Sequence, residues 1–102
     1  MNMEKLPKAK TENLTKHSKL KDTIELMTSN DYKERFLAEY YQLLIRYSNL
    51  GDLIGLYYEF KLLNQEPPAI ACPIELLNMQ YEAMGKLLDI LVIRAKMENI
   101  EL

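Results

Sequence analysis

Apolar residues recur through the last two-thirds of the chain at helical spacing, with one interruption. Phe36, Tyr40, Leu43, Tyr47, Leu50, Ile54 and Tyr57 follow one another in alternating steps of four and three. Ile74, Leu77, Tyr81, Met84, Leu88, Leu91 and Ala95 do so in steps of three and four. Such steps hold each set on one seam of a helix. Between the sets, Asn64 to Ala71 contains Pro67-Pro68. Proline lacks the amide proton a helix interior needs, and it pushes the residue before it into extended backbone. The pattern predicts helices over about 32–63 and 73–98. The connection is too short to return the chain along a helix of that length, so the two pack antiparallel.

Local signals mark the helix ends. Asp31 can accept from free amides of the first turn, with Glu34 three residues on, and both favour the positive end of the helix dipole. Pro73 suits a first helical position, where a missing N–H costs nothing. Gly51 and Gly55 lie within the first helix. Either Gly51 ends one helix and Asp52 caps the next, or the helix is continuous and its glycines admit a close neighbour. Ile54 and Tyr57 keep the seam in register, which favours continuity at a cost of about 1 kcal/mol per glycine relative to alanine.

Upstream, Leu20, Ile24 and Met27 outline a short amphipathic helix over about 20–27, too short to persist undocked. Residues 1–18 have no apolar period and contain Pro7 and several lysines. They read as a flexible Lys-rich arm preceding a helical domain over 19–102. Each long helix also has a second apolar row: Leu37, Tyr41 and Leu44 on the first, Leu76, Ala83, Leu87 and Ile90 on the second. A two-helix hairpin buries one stripe per helix, so the second rows need another partner. That partner is either a second copy of the chain or the N-terminal helix, which would make a three-helix monomer. A hairpin of this size is short of core, which favours the first. The expected fold is therefore all-α: a long antiparallel hairpin with a short N-terminal helix, assembling into an oligomeric helical bundle.

Composition narrows the class. The net charge of −2 conceals a division. Residues 1–22 hold six lysines against Glu4, Glu12 and Asp22, and the rest of the chain is acidic. An acidic body argues against a duplex-DNA footprint. A single cysteine, Cys72, allows no intrachain disulfide, which fits a reducing compartment. The start lacks the apolar stretch of a secretory signal. The most apolar run, Leu87 to Ile93, contains Asp89 and falls short of the roughly 20 residues of a membrane span. The expected location is the cytoplasm.

No catalytic constellation is legible. His17 is the lone histidine, so a zinc site, a Cys–His dyad and a serine triad are all without support, and no phosphate-cradling glycine motif appears. The residues point to a binding or assembly protein that is not an enzyme and needs neither cofactor nor metal. Arginine is the planar reader of phosphate and carboxylate. Closing the hairpin with Leu62 beside Pro73 puts Arg46 near Asp89, and Arg94 near Tyr40 and Tyr41. One reading is structural: an Arg46–Asp89 pair and a ring or hydroxyl contact for Arg94. The other is a ligand site in which Arg46 and Arg94 hold phosphate while Tyr40, Tyr41 and Tyr47 stack or hydrogen-bond a base and ribose.

The run Asp31-Tyr32-Lys33-Glu34-Arg35-Phe36-x-x-Glu39-Tyr40-x-x-Leu43-x-x-Arg46-Tyr47-x-x-Leu50 resembles the first helix of a family of small bacteriophage proteins related to a crAss-like phage protein. Cys72-Pro73-x-x-Leu76-Leu77-x-x-Gln80-x-x-Ala83-Met84-x-x-Leu87, then Leu91-x-x-Arg94-Ala95, is similar to its second. The resemblance spans about residues 31–100, and Gly51 and Gly55 depart from the ordinary helix formers of that family. It implies a phage-encoded accessory protein of the host bacterial cytoplasm, with no catalytic residues. At the level of fold alone, an oligomerising hairpin is similar to phage sponge proteins that bind cyclic-nucleotide alarm signals between subunits. The expected function is counter-defence by sequestering a small anionic nucleotide signal, a cyclic oligonucleotide or an ADP-ribose derivative, at subunit interfaces. The alternative is an inhibitor or adaptor of a host nuclease or CRISPR-type complex, acting through an apolar strip and an acidic surface.

Overall fold

The computed structural model describes residues 14–102, so most of the expected Lys-rich arm lies outside the described residues. A 3-10 turn, Leu20–Thr23, runs directly into α1, Ile24–Met27. Two long helices follow: α2, Tyr32–Leu62, and α3, Ile74–Met97. Asp31 caps α2: its side chain accepts from the Lys33 amide at 2.9 Å. The Ser29 carbonyl just upstream accepts from the Arg35 guanidinium at 2.9 Å. α2 passes through Gly51 and Gly55 without a break. Pro73 sits one place earlier than its sequence suggests, as the extended N-cap of α3, with its carbonyl accepting from the Leu76 amide.

Both long helices stop in the same way. Asn64 and Asn99 stand just past their C-caps with φ of 57° and 58°. Asparagine tolerates this left-handed backbone better than most residues. The next amide in each case reaches back to the third residue from the helix end: Gln65 to the Phe60 carbonyl and Ile100 to that of Ala95, both at 2.8 Å. This closure turns Ile100 inward, and it is buried with Ala95 in the core.

The core gathers at one end of the hairpin. Leu26 of α1, Phe36, Leu37, Ala38 and Tyr41 of α2, Leu91 and Ala95 of α3, and Ile100 form one buried cluster, with Leu14 packed against it. Leu14 therefore ties down the end of the expected arm, where residues 15–18 close a hydrogen-bonded turn. Thr23, fully buried, accepts from the Gln42 side chain at 2.9 Å and so locks the 3-10 turn to α2.

The two second rows fare differently. On α2, Leu37 and Tyr41 are buried with Leu26, so the N-terminal helix covers that row. On α3, Leu76, Ala83, Leu87 and Ile90 remain exposed. The docking of α1 can be measured directly. Leu26 is 1% exposed, and Leu26→Ala should cost about 2–5 kcal/mol of unfolding free energy in a urea titration. Leu62→Ala, at a position 84% exposed, should stay within about 0.5 kcal/mol of the parent.

Candidate functional site

The polar and aromatic side chains that join α2 to α3 form two clusters, one at the core end and one midway. At the core end, Tyr32 donates to Glu98 at 2.7 Å and accepts from Arg94 at 2.8 Å. Arg94 also pairs with Glu98 at 3.0 Å and lies 4.8 Å from the centre of the Phe36 ring. This closed triangle shifts each member. Donation from the Tyr32 hydroxyl, then from Arg94, holds the Glu98 carboxyl below its ordinary value. The hydrogen bond to Glu98 raises the Tyr32 phenol, and the same carboxylate is the leading cause that raises Arg94.

Midway, the rings of Tyr47 and Tyr81 stack at 4.2 Å between centres and 7° between planes. Each tyrosine lies against a glycine of the opposite helix. A Cβ on Gly51 would stand 2.8 Å from Cε1 of Tyr81, and one on Gly85 would stand 3.3 Å from Cε1 of Tyr47. Gly55 has nothing within 4 Å of the corresponding position. Tyr47 and Gly51 are four apart on α2, as are Tyr81 and Gly85 on α3, so each helix contributes the same Tyr-x-x-x-Gly turn to the crossing. The hydrogen bond to Tyr81 raises the Tyr47 phenol, helped by loss of water and by the charge of Asp89.

Beside this pair opens a shallow depression of about 390 Å³, lined by Lys16, Leu44, Tyr47, Ser48, Gly51, Asp52 and Tyr81. It combines two aromatic rings, a cation, a hydroxyl and a carboxylate. The Lys16 side chain comes from the turn that precedes α1, which runs back along α2.

The five residues singled out from sequence occupy separate settings. Tyr47 lines the depression. Tyr40 and Tyr41 meet edge to face at 5.0 Å between centres, and burial raises the Tyr41 phenol. Arg46 is exposed, and among the described residues it forms no ion pair with Asp89. Arg94 faces Phe36 and Tyr32 rather than Tyr40 and Tyr41, about one helical turn from its expected place. The offset comes from the hairpin end. α2 is not closed off at Leu62 by Pro73: Leu62 and Leu63 remain exposed, and the irregular residues up to 73 add length. Lys16, Ser48, Asp52, Tyr81 and Gly85 are not singled out as site residues by the sequence, where Tyr81 reads as a seam position and Asp52 as a possible cap. The repeated Tyr-x-x-x-Gly spacing was the signal available for two of them.

Among the described residues no group of three or more His, Cys, Asp or Glu side chains is placed to hold a metal ion, and no helix is long and apolar enough to cross a membrane. Fold and site together define a helical hairpin whose crossing borders an aromatic-lined depression. The Sequestin family model matches residues 30–97, the span from the α2 cap to the end of α3, and the chain belongs to that family. The family name suggests a sequestering, and so a binding, protein. No curated protein and no solved structure matches the chain.

Two outcomes test this geometry. Gly55→Ala should stabilise the protein by roughly 0.5–1 kcal/mol, because alanine is the better helix former and has free space there. Gly51→Ala should lose that gain, since Tyr81 must leave the stack, and near-ultraviolet dichroism of tyrosine should fall in this variant only. The second outcome is acid opening of the Tyr32–Arg94–Glu98 triangle. The folded pKa of Glu98 is lowered, so its contribution is present above the ordinary carboxyl value of 4.5 and is lost as pH falls through the folded value. The exchange protection factor of the Ile100 amide, which donates to the Ala95 carbonyl, should fall below that point, and Glu98→Gln should remove the acid step.

Proposed function

We propose that this protein sequesters a small anionic nucleotide signal and thereby acts as a phage-encoded counter-defence protein in the host bacterial cytoplasm. One observation carries the reading: a sequestering-family chain whose helix crossing borders a depression with ring faces, a cation and hydroxyl-binding groups together. A tyrosine face accepts a base, Lys16 answers a phosphate as a point charge, and Asp52 with Ser48 suits ribose hydroxyls. The volume lies within the range of about 300–1,000 Å³ typical of small-molecule sites. A cyclic oligonucleotide or an ADP-ribose derivative has all three chemical parts.

The groups of this depression come from one chain, so the reading places the ligand within a protomer instead of at the subunit boundary expected from sequence. Tyr47 is the expected site residue that it retains, with Arg46 exposed on the neighbouring position of α2. The guanidinium of Arg94 is already matched by Glu98, so it takes up a phosphate only by releasing that carboxylate.

A second reading, a protein–protein inhibitor or adaptor, is favoured by the exposed apolar row on α3. Calorimetry against cyclic di- and trinucleotides and cyclic ADP-ribose isomers separates the two. Binding heat with one of them is expected, and Lys16→Ala and Asp52→Ala variants should each weaken it about tenfold, or about 1.4 kcal/mol. Neither heat nor a thermal shift with any of them would favour the inhibitor.

A further inference from the structure

The apolar row on α3 continues into a full-length stripe. Leu76, Met79, Leu87, Ile90, Ile93 and Met97 are 42–80% exposed, and Ala83 completes the line. Their steps keep them on the face turned away from Leu88, Leu91 and Ala95, which are buried. At about 1.5 Å per residue the stripe is roughly 30 Å long. It exposes roughly 700 Å² of large apolar side chain, close to the ~800 Å² that each partner of a standard-sized interface contributes. A typical monomer's largest exposed patch is about 300–600 Å².

Charge along α3 identifies the partner. Glu75 and Glu82 are the charges of its N-terminal half, whereas in the C-terminal half Lys86 and Lys96 outnumber Asp89, and Arg94 is matched by Glu98. Beside a second α3 running the same way, like charges and like dipole ends would meet. Beside one running the opposite way, the acidic half of each helix faces the basic half of the other and the dipoles oppose. We propose that the outer stripe of α3 is a two-fold seam that pairs with the same stripe of a second copy, antiparallel, giving a four-helix dimer. This proposal is independent of the ligand.

The test is light scattering of the full chain at micromolar concentration, with thermal melts of each variant. The chain mass is 12.0 kDa, and twice that mass is expected. Ile90→Glu and Ile93→Glu lie outside the monomer core, so each should return the protein to monomer mass with its helical content intact. Glu75→Lys should shift the equilibrium toward monomer, and adding Lys96→Glu should restore the dimer. A parent at monomer mass would overturn the proposal. So would a dimer indifferent to Ile90→Glu and Ile93→Glu, which would place the seam elsewhere. Failure of Lys96→Glu to rescue Glu75→Lys would overturn the antiparallel arrangement.

Discussion

The close approach of α2 and α3 at Tyr47 and Tyr81 is the constraint from which the hairpin's register follows. Apolar seams alone specify that two helices meet, but leucine-like side chains tolerate a shift by a turn. A ring against a glycine does not, because the hollow left by a missing Cβ has one place along each helix. Two such hollows, one on each helix and each filled from across, fix sliding and rotation together. The rings then stack at 4.2 Å, so the two fits support each other. The helix cost of Gly51 and Gly85 is offset by the contact it permits. Gly55, with open space around it, shows no such compensation.

With the crossing fixed, the two ends of the hairpin are free to differ. At the core end, the Asn99 turn brings Ile100 into the cluster, and Glu98, just before it, reaches Tyr32 and Arg94. The apolar and ionic contacts are therefore consequences of one backbone reversal. The triangle stabilises the end of α3 most where its carboxylate is charged. Burial of Leu26 and Thr23 on the α2 side closes the same end from the third direction. At the opposite end, the Asn64 turn leads into prolines and no comparable cluster forms among the described residues, and Leu62 and Leu63 are exposed.

The helices, the cap at Asp31 and the continuity of α2 were legible because each rests on near-neighbour chemistry: periodic burial, a side chain that accepts from an amide two residues on, a seam that keeps step. The pairing across the hairpin was less so. It depends on how the residues between Leu62 and Ile74 spend their length, and two left-handed asparagines are not marked in sequence as glycines would be. A modest change there moved Arg94 from Tyr40 to Phe36. The depression was less legible still. Lys16 reaches it only because Leu14 and Thr23 anchor the preceding turn along α2, a tertiary event that no local pattern announces. Tyr81 read as one more seam residue; its partnership with Gly51 becomes visible only when both Tyr-x-x-x-Gly turns are superposed in opposite directions.

The uneven treatment of the two second rows bears on how binding and assembly coexist. α1 is short, and it can shield only one helix. It lies on α2, which leaves α3 to meet solvent or a partner. Tyr81, however, points toward α2, whereas Ala83 and Ile90 point the opposite way, since successive residues turn by about 100° around the helix axis. A partner on the outer stripe therefore approaches from the far side of α3 and leaves the depression uncovered. Each copy in an antiparallel pair would carry a complete set of ring, lysine, hydroxyl and carboxylate. In that arrangement the stripe supplies stability that a small hairpin lacks, and the stacked tyrosines remain available to a ligand.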